Sequence, residues 1–537
     1  MIKITTLSKF ITGFGLMTLP SIGISDTAPI MGNPLINNGQ PSDNDDLQRA
    51  LSRLKGSDDK DTLAFYEKTG NQPAWFFQGN LTKCGHIAVE TLKNAATEGL
   101  TPDDYEDATH AVNNPENWAD AEILLTKRYL EFINHIRSGR IDPLRISHDI
   151  KFHSPKTHPV DLLFDAVQDK STECSKLRDM APPIAQYANL KKILAHYRKL
   201  AKNTKESPKI KGAKTFKIGE TNPEVKVLRQ ILSLHGDLKD DDSKSGNKFD
   251  HELDVALRRF QKRHTLESDG VVGGKTKDAL NLPVNDLIRK VIYNMERLRW
   301  LPDELGNKHI IINVAGYEVQ AYEQSDLKLT IPAIVGKPSR RTPLFYASLK
   351  NVIVNPSWGV PYNILVHDKI PKIINDPDYV RRSGFTVTDD TGNIVDPDQA
   401  DWENEGRHYH LRQSPGAHNA LGRIKFNIEN PYTIYMHGTP DEKLFEKTAR
   451  AFSSGCVRLK TPTELAAWVL NNEEKWDPEA IENAIHKGST QTVKPESDIP
   501  VFFTYQTVWV GEDDLIHISD DPYQLDKKMG KVLITKT

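Results

Sequence analysis

"HIIINVAGYEVQAYE", residues 309–323, is where the periodicity of this 537-residue chain changes. Upstream of it apolar residues recur every three to four positions; within it they alternate, and Ala315-Gly316 separates two alternating runs. Alternation puts every second side chain on one face of a strand, so the stretch reads as a β-hairpin. "LKLTIPAIVG" (327–336), "KNVIVNPSW" (350–358) and "YTIYMHG" (432–438) add further β-rich runs. A β-rich domain therefore begins near residue 305 and extends to about residue 490. Set into it is an irregular stretch, about 356–430, dense in Asp, Asn, Pro and Gly; so long a loop in a compact domain reads as a lid. Residues 491–537, with "IPVFFTYQTVWVGEDDLIHISDDPY", read as a β-prone aromatic segment that packs on a neighbouring domain.

Working back from residue 305, the pattern is helical. Val225, Leu228 and Leu232 fall at i, i+3, i+7, and Leu253, Leu257 and Phe260 at i, i+4, i+7, so two amphipathic helices present facing stripes. Ser268, Asp269 and Gly270 turn the chain into a third short helix, which makes a small three-helix module over 216–284. The lysine-rich "KNTKESPKIKGAK" (202–214) before it reads as a solvated linker. From Asp46 to about residue 205, stretches such as "DAEILLTKRYLEFINHIRSG" (120–139) give a helical domain, interrupted by a turn at "FYEKTGNQPAW" (65–75). Residues 26–45 are polar and read as a flexible lead.

At the N-terminus, Lys3 and Lys9 precede an apolar run from Phe10 to Leu19 and small residues ending at Ser25. That pattern reads as a secretory signal over 1–25 with a cut near Ser25, which would export the protein to the periplasm; the alternative is an uncleaved signal that anchors it to the inner membrane, although the run is shorter than the ~20 apolar residues of a membrane span. With 70 Lys+Arg against 73 Asp+Glu, no global basic field argues for nucleic acid. Export changes how the three cysteines read. Cys84 and Cys174 can pair in an oxidising compartment, which leaves Cys456 as a candidate reactive thiol.

Two signals bracket that thiol. Thr439, Pro440 and Glu442 read as a capping box just after His437 and Gly438, and Thr461, Pro462 and Glu464 repeat the device after Cys456. A thiol is a useful nucleophile only as thiolate, and its ordinary pKa of ~8.5 has to be lowered by a histidine, a cation or a helix N-terminus. His437 can act as the base and Arg458 as the cation. Gly455 permits a tight turn, so the amides of Ser454, Gly455 and Cys456 can converge on an oxyanion. Tyr435, two residues before His437, points to the same strand face. His408, His410 and His418 crowd one short run, but no HExxH or CxxC spacing makes them a metal site, and they read as polar lid residues.

"HGTPDEKLFEKTARAFSSGCVRL" (437–459) closely resembles the active-site signature of the L,D-transpeptidases: histidine-glycine, a spacer, then Ser-Gly-Cys-x-Arg. "VGKPSRRTPLF", "NPSWGVPYNILVHDKIPKIINDPDYVRRSGF" and "SPGAHNALGRIKFNI" occur in the order of its large periplasmic members, and "ALRRFQKRHTLESDGVVGGKTKDALN" resembles the peptidoglycan-binding domain that accompanies many cell-wall enzymes. The resemblance implies a multidomain α+β protein: helical scaffold, peptidoglycan-binding module, and a catalytic domain with an inserted lid. It implies Cys456 as nucleophile, His437 as base, the backbone of Ser454, Gly455 and Cys456 as oxyanion hole, the Gly438 carbonyl orienting the imidazole, and Arg458 holding the loop or a substrate carboxylate. Trp358 is a packing residue or a substrate shelf. The family reaction joins diaminopimelate to diaminopimelate between peptidoglycan tetrapeptide stems through a thioester, with release of D-alanine, no metal or cofactor, and acylation by carbapenems. Penicillin-binding carboxypeptidases, which can make the donor, are candidate partners on which the sequence is silent, as it is on oligomeric state. Water as acceptor would make an L,D-carboxypeptidase, a lipoprotein lysine would make an anchoring transferase, and a chain that only binds the wall would be the non-enzymatic alternative. Ser454 stands where many members have histidine, and Thr461 where many have asparagine.

Overall fold

The computed structural model describes residues 41–534 apart from 57, 153–156, 170–172, 204–207, 213, 240–245 and 471–474. The expected signal (1–25) and most of the expected lead lie outside the described residues. The end of that lead is already helical, because the first helix begins at Pro41 (Pro41–Leu54).

The N-terminal part is helical, built round Trp118–Ser138 and Ala185–Asn203. Within the first of these, Ala121, Leu125, Tyr129, Phe132 and Ile136 recur at helical spacing and are buried in one core. The turn at 65–75 is held by Glu122, whose buried carboxylate accepts the N–H groups of Ala74, Trp75 and Phe76 at 2.6, 2.9 and 3.0 Å. It precedes a small hairpin, β1 (Phe76–Phe77) and β2 (Asn80–Leu81). Cys84 and Cys174 form a disulfide with Cα atoms 5.4 Å apart. A short strand, β3 (Ile150–Lys151), leaves this region and pairs in parallel with the sheet of the C-terminal domain.

The three-helix module has helices Val225–Leu234, His251–Arg263 and Gly274–Leu280. All six residues of the two predicted stripes are fully buried in a core of its own. The lysine-rich connector is less loose than its composition suggests: Ile210 N–H donates to Asn281 Oδ1 at 2.8 Å and the Asn281 amide returns a bond to Ile210 O at 2.9 Å. The module is also fastened to the C-terminal hairpin, where buried Arg263 pairs with Asp237 and donates to Ile516 O at 2.6 Å.

The C-terminal domain is built on β4 (Lys308–Asn313), β5 (Glu318–Glu323), β6 (Asp326–Gly336), β7 (Leu344–Val354), β8 (Trp358–Gly359), β9 (Phe385–Thr388), β10 (Ile394–Val395), β11 (His410–Gln413), β12 (Ile424–Glu429), β13 (Met436–His437), β14 (Ala451–Ser453), β15 (Val457–Leu459), β16 (Gln491–Val493), β17 (Ile499–Thr504), β18 (Val508–Val510) and β19 (Ile516–Ile518). The main sheet runs β12-β13-β15-β6-β5-β4-β17-β7, and β7 also pairs with β12, so the sheet closes on itself. Ile310, Ile312, Val319, Ala321, Ala333, Phe426, Met436 and Val457 fill the enclosed core, one from every second position of its strand.

Two expected boundaries move. Residues 499–504 are no appendage: β17 lies inside the sheet, parallel to β4 and antiparallel to β7, because "IPVFFT" is apolar on both faces and needs cover on both. The lid ends before residue 424, since Ile424 and Phe426 alternate with Lys425 and Asn427 and place β12 in the main sheet. The lid itself, 356–421, has a four-stranded sheet, β10-β9-β11-β8, and its own core around Trp358, Val380, Phe385, Val387, Trp402 and Leu411.

Candidate functional site

Two short strands position the predicted residues. β13 and β15 pair in parallel, Met436 opposite Val457 and His437 opposite Arg458. Met436 and Val457 are fully buried in the core, so alternation turns Tyr435 and His437 of one strand, and Cys456 and Arg458 of the other, to the opposite face. Those four residues, with Trp358 and Ser454, line a cleft of about 590 Å³ between the sheet and the lid. His437 and Cys456, nineteen residues apart in sequence, thus line one cleft from adjacent strands, with Cys456 Sγ 3.9 Å from Thr433 O.

The chain between them folds differently from its capping signals. After His437, Thr439 Oγ1 accepts the Asp441 N–H at 3.2 Å, and the next element is one 3₁₀ turn (Glu442–Glu446) rather than an α-helix. The second signal does begin a helix, Pro462–Leu470, with Thr461 Oγ1 donating to Glu464 Oε2 at 2.9 Å. Strand β15 stands between that helix and Cys456, so the sulfur is not at a helix N-terminus.

The turn that carries the cysteine is over-determined. Gly455 has φ +121°, and a Cβ there would sit 3.1 Å from Ile434 Cδ1. Its carbonyl accepts from Thr342 Oγ1 at 2.7 Å, and its N–H donates to Ser453 Oγ at 3.1 Å. Ser453 Oγ in turn donates to Cys456 O at 2.6 Å. The Gly455 amide is therefore engaged within the turn rather than aimed at the cleft, unlike the expected three-amide oxyanion hole. Ser454 contributes a side-chain contact: Arg340 donates to its Oγ at 3.1 Å and holds lid residue Asp368 through a second ion-paired contact at 3.0 Å.

Electrostatics depart from expectation. Burial pushes the Cys456 thiol up from its ordinary value, and the opposing pull of the Tyr435 N–H and phenol and of the Lys425 and Arg458 charges does not reverse it. The predicted lowering by His437 and Arg458 is thus overturned, because desolvation penalises the thiolate more than those neighbours favour it. Burial and the Arg458 charge bring His437 down to about 3. Its Nδ1 sits 2.5 Å from Gly438 O, which can only accept, so Nδ1 carries the proton and the neutral ring keeps its lone pair on Nε2. Arg458 is mostly buried, and its Nε has no hydrogen-bond partner among the described residues. The resting pair is neutral thiol and neutral imidazole.

Sequence reasoning missed Lys425, whose Nζ lies 4.1 Å from the Tyr435 ring centroid, and the Arg340–Asp368 bridge. Lys425 stands opposite His437 in β12, a strand hidden inside the supposed lid. Trp358 packs in the lid core and also lines the cleft. His408 and His410 each hydrogen-bond Asp390 at 3.0 Å on the exposed lid surface, away from the cleft residues. Among the described residues no helix is long and apolar enough to cross a membrane.

Comparison with known proteins gives three matches along the chain. Residues 60–194 match a family described as a scaffold domain, 221–280 one described as "Putative peptidoglycan binding domain", and 307–493 one described as an L,D-transpeptidase catalytic domain. A Haemophilus influenzae protein named "Putative L,D-transpeptidase" is 37% identical over 238 residues, 44% of this chain, and the match spans 48% of that relative's length. Among solved structures, an L,D-transpeptidase from Mycobacterium smegmatis is 12% identical with a TM-score of 0.18, covering 37% of this chain and 58% of that one. One from Xylanimonas cellulosilytica is 14% identical with a TM-score of 0.17, covering 55% of this chain and 100% of that one.

Proposed function

We propose that this chain, whose residues 307–493 match a family described as an L,D-transpeptidase catalytic domain, is an exported enzyme that joins peptidoglycan stems through 3-to-3 diaminopimelate cross-links, by way of a thioester on Cys456. The observation that carries the reading is the placement of Tyr435, His437, Cys456 and Arg458 on one face of two adjacent strands, at the floor of a lidded cleft.

The chemistry is set by the resting protonation. His437 Nε2 takes the thiol proton as Cys456 Sγ attacks the carbonyl between the L-centre of diaminopimelate and the terminal D-alanine. Charge that develops on the carbonyl oxygen is met by the Cys456 main-chain N–H and by the Tyr435 phenol, which faces the sulfur. The C–N bond then breaks, Nε2–H protonates the leaving amine, and D-alanine departs. The side-chain amine of a second stem attacks the thioester, its proton passes to Nε2 and then to sulfur, and the amide cross-link and free thiol result. A neutral pair suits this cycle, because the imidazole is ready as a base whenever substrate excludes water. The peptidoglycan-binding module, fixed to the C-terminal hairpin by Arg263, would keep the cleft near the wall. A β-lactam carbonyl that meets the same thiol would give carbapenem acylation.

The test is mass spectrometry of disaccharide-tetrapeptide incubated with the mature protein and with Cys456→Ala. Dimers with D-alanine release, lost in the variant, are expected. Tripeptide monomers alone would make the protein an L,D-carboxypeptidase, and absence of thiol-dependent turnover would refute the enzymatic reading.

A further inference from the structure

The cleft has a charge of its own. Its lining includes Lys337, Lys369, Lys372 and Arg458 against one carboxylate, Asp368, while the whole chain carries a net charge of -3. Asp368 is already held by Arg340. None of the three lysines has a carboxylate within ion-pair distance among the described residues. Elsewhere on the same lid Arg381 pairs with Asp396 and Asp398, and Arg382 with Asp376. The charges of Lys337 and Lys372 act on Asp368, whereas Lys369 is not among the cations that do.

Lys369 is the most constrained of them. Its Nζ lies 5.1 Å from the Phe385 ring centroid, 5.3 Å from Tyr379 and 5.4 Å from Trp358, and donates to the Tyr379 hydroxyl at 2.7 Å. Three aromatic rings fix the ammonium through cation–π attraction, and one hydroxyl uses one of its three donors. Half-buried, it has two N–H groups left and no carboxylate within ion-pair distance among the described residues. A fixed ammonium in a concave site, with further cations beside it, focuses the field on an anionic ligand.

We infer that Lys369 and Lys372 of the lid, with Lys337 at the end of β6, form a carboxylate-reading wall of the cleft that selects donor stems whose side carboxylates are free over stems in which those groups are carboxamides. This rests on the transpeptidase reading and deepens it. A γ-linked glutamyl residue and a diaminopimelate each present a carboxylate that takes no part in the acyl transfer, and both lie within a few bonds of the scissile carbonyl. An ammonium gains a charge-assisted hydrogen bond from a carboxylate and a weaker one from a carboxamide.

The experiment measures thiol-dependent D-alanine release from two tetrapeptide donors, one with free carboxyls and one with both side carboxyls amidated. For wild type the free donor should be preferred by about tenfold in kcat/KM, the worth of one hydrogen bond to a charged group. In Lys369→Met that preference should fall to about threefold or less through KM, with Lys369→Arg retaining it. Equal turnover of both donors by wild type would overturn the inference, as would an equal loss on both donors in Lys369→Met. Should Lys369→Met fail to fold, the double variant Lys337→Ala, Lys372→Ala must shrink the preference by about threefold, and an unchanged preference refutes the wall. Calorimetric binding of the two donors to Cys456→Ala separates the two readings. Preferential binding of the free donor without turnover by wild type would sink the transpeptidase reading and keep the wall, and indifference in binding would sink the wall.

Discussion

The sheet beneath Cys456 and the lid above it are built on opposite plans. β13 and β15 are hydrogen-bonded on both edges within a closed sheet, and Met436 and Val457 anchor them in the core. The lid folds around a small core of its own, turns lysines to the cleft, and joins the nucleophile turn through Arg340, Asp368 and Ser454. Paired strands hold the proposed reacting atoms, and a separately packed element carries the charges proposed to recognise substrate. Substitutions in the two regions should therefore separate chemistry from binding.

The largest effect belongs to the sheet. Cys456→Ala should abolish D-alanine release, and His437→Gln should lower kcat by about 10²–10⁴-fold, the usual worth of a positioned base. Since Cys456 is only half-buried, its alanine variant should melt within a few degrees of wild type. A His437→Gln enzyme with its kcat intact would remove the histidine from the mechanism.

Next comes the turn that joins the regions. Gly455→Ala forces a Cβ into a positive-φ position against Ile434, and such strain costs about 1–3 kcal/mol. The variant should lose activity by at least tenfold while its helical domain melts normally, as read by calorimetry. Asp368→Asn is milder. It releases Arg340 from the lid, and kcat/KM should fall roughly tenfold with kcat little changed. A fall in kcat as deep as that of His437→Gln would show that lid and sheet do not separate.

How much of the fold and site was legible in the sequence divides along the same line. The paired stripes of the three-helix module and the hairpin at 309–323 are local periodic signals, and the structure reproduces both. β12 was hidden, because "IKFNI" is brief and lies between turn-rich stretches, and its place depends on pairing with a strand about 75 residues upstream. β17 was read as peripheral for the converse reason: a strand apolar on both faces shows no alternation, and only the distant β4 and β7 reveal that it is central. The thiol and histidine were legible as a motif, but the motif says nothing of burial. Desolvation, the largest cause of both shifts, depends on tertiary burial and so lies beyond local reading. Proline at the first helical position started a helix at Pro462 and not at Pro440. Thr461 bonds Glu464 in the first case, whereas Thr439 bonds the Asp441 amide and tightens the chain into a turn in the second.

The smallest effect tests that burial directly. An imidazole at about 3 in the fold, against an ordinary 6.5, leaves the unfolded chain binding the extra proton between those values. Stability from a buried neutral His437 is therefore fully present above about pH 6.5 and is lost as pH falls towards 3. His235, also at about 3, acts with the same sign, whereas Glu122 and Glu318, both raised to about 7, stabilise the fold at low pH and lose that contribution as pH rises. These opposing groups hide the His437 contribution in wild type alone, but they cancel in the difference between wild type and His437→Gln. Calorimetry at pH 7 and pH 4.5 should show the variant's Tm deficit shrinking at the lower pH, since glutamine has no proton to exclude. Iodoacetamide should alkylate Cys456 at a rate that climbs with pH along one limb, with a midpoint above that of a free cysteine and no plateau in acid, because a neutral imidazole supports no thiolate at low pH. A pH-independent Tm deficit together with an acid plateau would mean a charged thiolate–imidazolium pair, and the sheet would then supply the site's charge as well as its rigidity.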